Sequence, residues 1–123
     1  RDVTIIACGE TVRGALDAAL LLSEEGVSCR VLSMHTIKPL DTEAIRRAAE
    51  ETRAIVTVEE HSVFGGLGAA VSEVVVTHHP LPMRILGVPD EPAIAGPSRD
   101  VFRYYGLDAS GVIRAVRDLM AAQ

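Results

Sequence analysis

Residues 54–58 read Ala54-Ile55-Val56-Thr57-Val58 and run straight into Glu59-Glu60-His61-Ser62-Val63-Phe64-Gly65-Gly66-Leu67-Gly68, which opens the apolar segment Ala69-Ala70-Val71-Ser72-Glu73-Val74-Val75-Val76. The first segment is short, apolar and β-branched, as a buried strand is. The last reads as a helix over residues 66–77. Two carboxylates, an imidazole, a hydroxyl and three glycines therefore collect where a strand hands over to a helix. In open α/β sheets, sites are built at that edge.

The same alternation continues on both sides of this run. Val3-Thr4-Ile5-Ile6-Ala7-Cys8 reads as a fully buried strand ended by Gly9-Glu10. Thr11 is placed to cap a helix over 12–25, where Val12, Ala15, Leu16, Ala19, Leu20 and Leu22 keep helical spacing and Gly26 supplies the stop. A second strand follows over 27–33. Residues 35–40 read as an extended linker, because Pro39 disfavours helix in the residue before it. Asp41 caps a helix reaching Thr52, with Ile45, Ala48 and Ala49 as its apolar face.

Downstream, Pro80 and Pro82 break the helix, and residues 83–88 form a fourth strand. Residues 89–98 hold three prolines and a glycine and read as a structured loop. Residues 101–105 suit a short helical turn. A last helix, capped at Asp108, carries Val112, Ile113, Val116, Leu119 and Met120 on one face.

Strand and helix patterns alternate without a hairpin signal, which implies parallel strands joined by right-handed crossovers with helices on both faces. The expected fold is a three-layer α/β/α sandwich of four parallel strands in the order 2-1-3-4. Its switch point lies between the first and third strands, so Gly9-Glu10 and the run 59–68 flank one crevice.

Bulk properties narrow the function. A chain of 123 residues is expected to form a single domain over 1–123, large enough to bury a core without metals or staples. Its 12 basic and 17 acidic residues give a net charge of -5, with no basic run or basic-aromatic interleaving, so nucleic acid is not an expected partner. The longest purely apolar run, 18–22, is far short of a membrane span. The start at Arg1, already against a strand, reads as a cut from a longer polypeptide. Cys8 and Cys29 fall at opposite ends of parallel strands, too far apart for a disulfide, and read as small buried residues of a cytoplasmic protein.

The glycine run admits three readings. As a dinucleotide cradle, Gly66-Leu67-Gly68 supplies two glycines, and Asp90 stands near the spacing of a ribose-binding acid. Val71 occupies the third small position, however, and Glu59, Glu60 and Glu10 make the approach repulsive to a pyrophosphate. As a catalytic cluster, Glu60, His61 and Ser62 are consecutive, so their side chains diverge and no Ser-His-acid relay forms among them. His78-His79 lack a carboxylate or cysteine partner for a metal and suit the C-terminal end of a helix dipole. In the third reading the loop belongs to an assembly.

The order of residues resembles the C-terminal domain of the transketolase family. The resemblance rests on Val3-Thr4-Ile5-Ile6-Ala7-Cys8-Gly9-Glu10, on Val31-Leu32-Ser33-Met34 with Ile37-Lys38-Pro39-Leu40-Asp41, and on the loop 59–71. The ending Gly96-Pro97-Ser98-Arg99 through Tyr105-Gly106-Leu107 adds to it. It is closest to the split, two-subunit bacterial transketolases, with 1-deoxyxylulose-5-phosphate synthase a near neighbour and the branched-chain and pyruvate dehydrogenase β subunits more distant.

What the resemblance implies is specific. Family members use thiamine diphosphate and magnesium to move a two-carbon ketol unit between sugar phosphates, as in pentose phosphate metabolism. The cofactor lies between two other domains of a dimer, and neither the diphosphate-binding signature nor the glutamate that activates the thiazolium is present here. The expectation is a domain that binds no cofactor or metal, has no catalytic residue and is inactive alone. Its partners would be the thiamine-diphosphate-binding domains or subunit of the same enzyme, in a homo-oligomer. A further antiparallel edge strand, usual in the family, would precede the Val3 segment. Glu60, His61, Ser62, Gly65, Gly66 and Gly68 are the candidate interface or loop-organising residues, with the glycines permitting close backbone approach. A free-standing small-molecule-binding or regulatory domain on the same fold is the rival reading.

Overall fold

The computed structural model describes residues 2–34, 40–62, 66–88 and 98–122, with backbone alone at 61, 62 and 98–100. In chain order the elements are β1 (Val3–Ala7), α1 (Thr11–Glu24), β2 (Cys29–Ser33), α2 (Thr42–Glu51), β3 (Ala54–Ser62), α3 (Leu67–His78), β4 (Met83–Val88), α4 (Ser98–Tyr105) and α5 (Ala109–Ala121). All strand pairings are parallel, and the sheet order is β2-β1-β3-β4, as the alternation predicts.

Alternating side chains of the central strands build two cores. Val3, Ile5 and Ala7 of β1 join Ala54, Val56 and Val58 of β3 under α1 and α5, where Ala15, Ala18, Leu22, Val112 and Val116 meet them. On the other face, Ile6 and Ile55 pack with Ile45 and Ala49 of α2 and with Leu67, Val71 and Val75 of α3. The period-2 geometry of the strand therefore sorts neighbours in sequence to opposite layers.

Local signals set most boundaries. The Asp41 side chain accepts from the N–H of Ala44 at 3.1 Å, and that of Asp108 accepts from the N–H of Gly111 at 3.0 Å, so both act as the N-caps expected. Gly26 takes φ of +85° after the end of α1, a left-handed conformation that suits glycine. The linker 35–39 and the Pro-rich loop 89–97 lie outside the described residues.

Four expectations change. Thr11 does not cap α1 but begins it: its hydroxyl donates to the carbonyls of Cys8 at 2.6 Å and Val58 at 3.0 Å, latching the helix to β1 and β3. Leu16 and Leu20 keep helical spacing yet are 46% and 70% exposed, because the buried face of α1 is centred on Ala15, Ala18 and Leu22. β3 does not stop at Val58. It continues through Glu59 and Glu60 to Ser62, re-pairing with Val88 of β4 after a register shift. The turn expected at 101–105 is the second part of an eight-residue helix, α4.

Candidate functional site

The carboxyl end of β3 inherits the alternation of its buried part. Ile55 packs on the α2–α3 side and Thr57 lies against α3, and Glu59, two residues on, is directed to that same layer. Glu59 is completely buried. Its Oε2 accepts from the backbone N–H of Leu67 at 2.6 Å, and Oε1 accepts from that of Gly68 at 3.4 Å. The residue at the N-cap of α3 is Gly66, which has no side chain with which to cap. The carboxylate therefore caps α3 from the neighbouring strand, placing negative charge at the positive end of the helix.

Glycines make the approach possible. A Cβ on Gly66 would fall on the Glu59 carboxylate, and one on Gly68 would overlap the Ile85 side chain and sit 2.9 Å from Thr57 Oγ1. The backbone at Gly66 is extended, so the requirement there is for space and not for an unusual conformation.

Glu60 turns the opposite way, into the crevice between β1 and β3. Its Oε1 lies 3.3 Å from the N–H of Glu10, which donates to it. It also lies where a Cβ of Gly9 would be, at a residue whose φ of +63° already favours glycine. The expected juxtaposition of Gly9-Glu10 with the run 59–68 is thus present at Glu60, near the end of β3, and its carboxylate bridges the two. Beside that bridge, Cys8 is held in its protonated form: burial raises its pKa first, then the charges of Glu59 and Glu60. A thiol so placed is a poor nucleophile.

Of the residues singled out from the sequence, Gly66 and Gly68 are brought together beside Glu59 at the start of α3, whereas Glu60 faces away from them to Gly9 and Glu10. The side chains of His61 and Ser62, and Gly65 entirely, fall outside the described residues. So does Asp90. The feature that sequence reasoning missed is the capping role of Glu59. A signal existed: an acid of the same strand parity as Ile55 and Thr57, before a helix whose N-cap is glycine.

Among the described residues, no group of three His, Cys, Asp or Glu side chains is placed to hold a metal ion. No described helix is long and apolar enough to cross a membrane. A cavity of about 690 Å³ opens beside the first turn of α1 and is lined by Glu10, Arg13, Phe102 and Asp108 among others.

Comparison with known proteins gives a consistent result. A sequence model of the family described as transketolase, C-terminal domain, matches residues 1–112. The chain is 53% identical over 119 residues to an apulose-4-phosphate transketolase subunit of Phocaeicola vulgatus, covering 97% of this chain and 38% of that protein. It is 40% identical to 1-deoxy-D-xylulose-5-phosphate synthase 1 of Geobacter sulfurreducens, across 99% of this chain and 20% of that protein. Among solved structures, a split gene transketolase described as an inactive β4 tetramer superimposes with a TM-score of 0.88 at 43% identity. The overlay covers 98% of this chain and 39% of that one. The chain thus spans well under half the length of the relatives it matches.

Proposed function

The chain belongs to the transketolase C-terminal domain family, and from that premise we propose that it is the C-terminal domain of one subunit of a split, thiamine-diphosphate-dependent transketolase. The enzyme would move a two-carbon ketol unit between sugar phosphates in the cytoplasm. This domain would serve packing and subunit association and would not carry the catalytic centre. The observation that carries the reading is the near-complete overlay on the split gene transketolase, at an identity well above that of a shared fold alone.

The residues present can be set against the needs of the cofactor. The N-terminus of α3, after a strand and within a glycine run, is where a diphosphate would be cradled. Both oxygens of the buried Glu59 carboxylate already accept from its amides, and Glu60 takes the N–H of Glu10 at the start of α1. A diphosphate would have to displace one carboxylate and face the other. The donor set does not fit, so thiamine diphosphate and its magnesium are assigned to other domains of the enzyme. There the cofactor supplies the carbanion chemistry.

With both carboxylates spent inside the domain, the residues left to meet a partner are those just beyond them. We assign His61, Ser62 and Gly65 to the contact with the cofactor-binding domains or a second subunit, on a platform that Glu60, Gly66 and Gly68 hold in shape. The related structure is described as a tetramer of β chains, which supports a homo-oligomeric subunit. Replacing His61 with Ala in the full assembly should weaken association more than it lowers turnover per intact oligomer; the opposite pattern would indicate contact with substrate.

The decisive test of the main reading is the coding sequence upstream of Arg1. A pyrimidine-binding domain there supports it, whereas a start codon close by sinks it in favour of a free-standing domain. Calorimetry of this chain with thiamine diphosphate and magnesium should show no heat of binding, and micromolar affinity would contradict the cofactor assignment. The similarity to the Geobacter synthase supports one second reading, the equivalent domain of a synthase. Parent length separates the two: this domain is 38% of the apulose-4-phosphate transketolase relative but 20% of the synthase.

A further inference from the structure

A basic cleft lies between β4, the end of α4 and α5, next to the cavity beside α1, with which it shares Arg103. Arg84 of β4, Arg103 of α4 and Arg114 of α5 line a cavity of about 260 Å³, together with Tyr104, Tyr105 and a single acid, Asp118. Three arginines against one acid give this lining a positive balance in a chain whose net charge is -5, although Arg103 also borders the cavity beside α1 and Arg114 the groove lined by Glu24 and Glu25. The one ion pair inside it is loose: Arg84 Nη1 stands 3.8 Å from Asp118 Oδ2, beyond hydrogen-bond length. Among the described residues, Arg103 and Arg114 have no acid within ion-pair distance. By contrast, Arg53 pairs closely with Asp2 and Arg117 with Glu25, each at 2.6 Å.

The cleft is also preorganised. Gly106, with φ of +72°, ends the α4 segment, and its carbonyl lies so near Gly111 that a Cβ there would overlap it. That backbone contact locks the end of α4 to the start of α5. Neither helix terminus is itself the anion site: the N–H groups of Gly106 and Leu107 already bond to carbonyls of α4, and that of Gly111 bonds to Asp108. Leu86 and the buried Ala115 give the cavity apolar surface. The rings of Tyr104 and Tyr105 meet edge to face with centroids 4.9 Å apart, forming a stiff aromatic wall. Tyr104 is 64% exposed, which leaves ring surface open to a ligand.

Guanidiniums gathered around one cavity repel each other and are matched best by an anion that accepts several N–H bonds at once. A carboxylate would leave positive charge over. A phosphomonoester carries about -1.5 to -2 at neutral pH and three acceptor oxygens. We propose that the cleft between β4, the end of α4 and α5 binds a small phosphomonoester. Its phosphate is held by Arg84, Arg103 and Arg114, and its organic part lies against the Tyr104–Tyr105 pair.

The test is amide chemical-shift mapping of the chain during titration with inorganic phosphate, glycerol 3-phosphate and acetate at constant ionic strength. Expected are saturable shifts at residues 104–106 and 111–115, with a midpoint on the order of 1 mM for glycerol 3-phosphate. The midpoint should rise at least about tenfold in Arg103→Gln and in Arg114→Gln, since each removes one charge-assisted contact. Calorimetry on the longer polypeptide that carries this domain, wild type against the same two variants, reads the same difference in the assembled context. Shifts that never saturate, a midpoint unmoved by either variant, or acetate acting as well as phosphate would each overturn the site. Equal midpoints for inorganic phosphate and glycerol 3-phosphate would remove the role given to the tyrosines.

Discussion

The buried carboxylate of Glu59 holds the backbone N–H of Leu67 at 2.6 Å, and through it the end of β3 is tied to the first turn of α3 across the glycine loop. One side chain thus does what an N-cap residue does elsewhere, but from a strand. Glu60, its neighbour, ties the same strand end to the start of α1. Together they fix the ends of two helices on opposite faces of the sheet, on either side of the segment proposed to meet the rest of the enzyme.

Removing the Glu59 carboxylate should therefore cost stability. Hydrogen bonds to a charged group contribute about 1.5–3 kcal/mol each, and an N-cap about 1 kcal/mol. Glu59→Ala leaves two amide donors unpaired in a buried setting and should destabilise by about 2–4 kcal/mol. Glu59→Gln keeps one acceptor oxygen and should lose roughly half as much. Urea unfolding of both variants measures this, and a Glu59→Ala loss under about 0.5 kcal/mol would dismiss the capping role.

Gly66 makes room for that carboxylate, whose atoms are the nearest that a Cβ there would meet. Gly66→Ala pushes a methyl onto Glu59 and should cost about 2 kcal/mol, mostly as lost capping. In a Glu59→Ala background the same change should be nearly neutral, because its neighbour has gone. A double-mutant cycle then gives a coupling of at least about 1 kcal/mol. Additive losses would show that Gly66 is required for some other reason.

Much of this fold is legible in the sequence because its signals are local. Asp41 and Asp108 each bond an amide three residues ahead, so a short window contains both donor and acceptor. The apolar runs of β1 and β3 announce strands buried on both faces. Glu59 is different: its nearest amide is eight residues away, across a glycine loop, and only strand parity reveals which layer the side chain enters. Helical spacing likewise places Leu16 and Leu20 on α1 without orienting that helix. Its rotation is set by contact with the sheet and α5, which bury Ala15, Ala18 and Leu22 instead. The polar residues Glu59 to Ser62 resemble a loop, yet sheet pairing with β4 holds their backbone in the strand.

Thr57 offers a test in the opposite direction. Its Oγ1 is buried between β3 and α3 and has no hydrogen-bond partner among the described residues. An unmade hydrogen bond in an apolar layer costs about 1–3 kcal/mol. Valine has nearly the same shape and a β-preferring side chain, so Thr57→Val should stabilise the domain by about 1 kcal/mol. A lower melting temperature in the variant would mean that the hydroxyl has a partner in solution, a buried water being the simplest.

Cys29, at the start of β2, carries the clearest pH signature. Burial, with the charge of Asp2 as a lesser cause, raises its pKa from 9.0 to about 11. The folded state therefore favours the thiol over the thiolate more than the unfolded state does. A group whose folded pKa is raised contributes stability that is fully present below the unfolded value and is lost as pH rises through the folded one. The window is thus pH 9 to 11. In a Cys8→Ser background, iodoacetamide should modify Cys29 slowly at neutral pH, with a rate that climbs toward a half-maximum near pH 11 in the folded protein and near pH 9 in denaturant. Across the same window, stability should fall more steeply with Cys29 present than in Cys29→Ala. Coincident titration curves for native and denatured protein would remove the effect at its source, because β2 would then be open to solvent at its first residue.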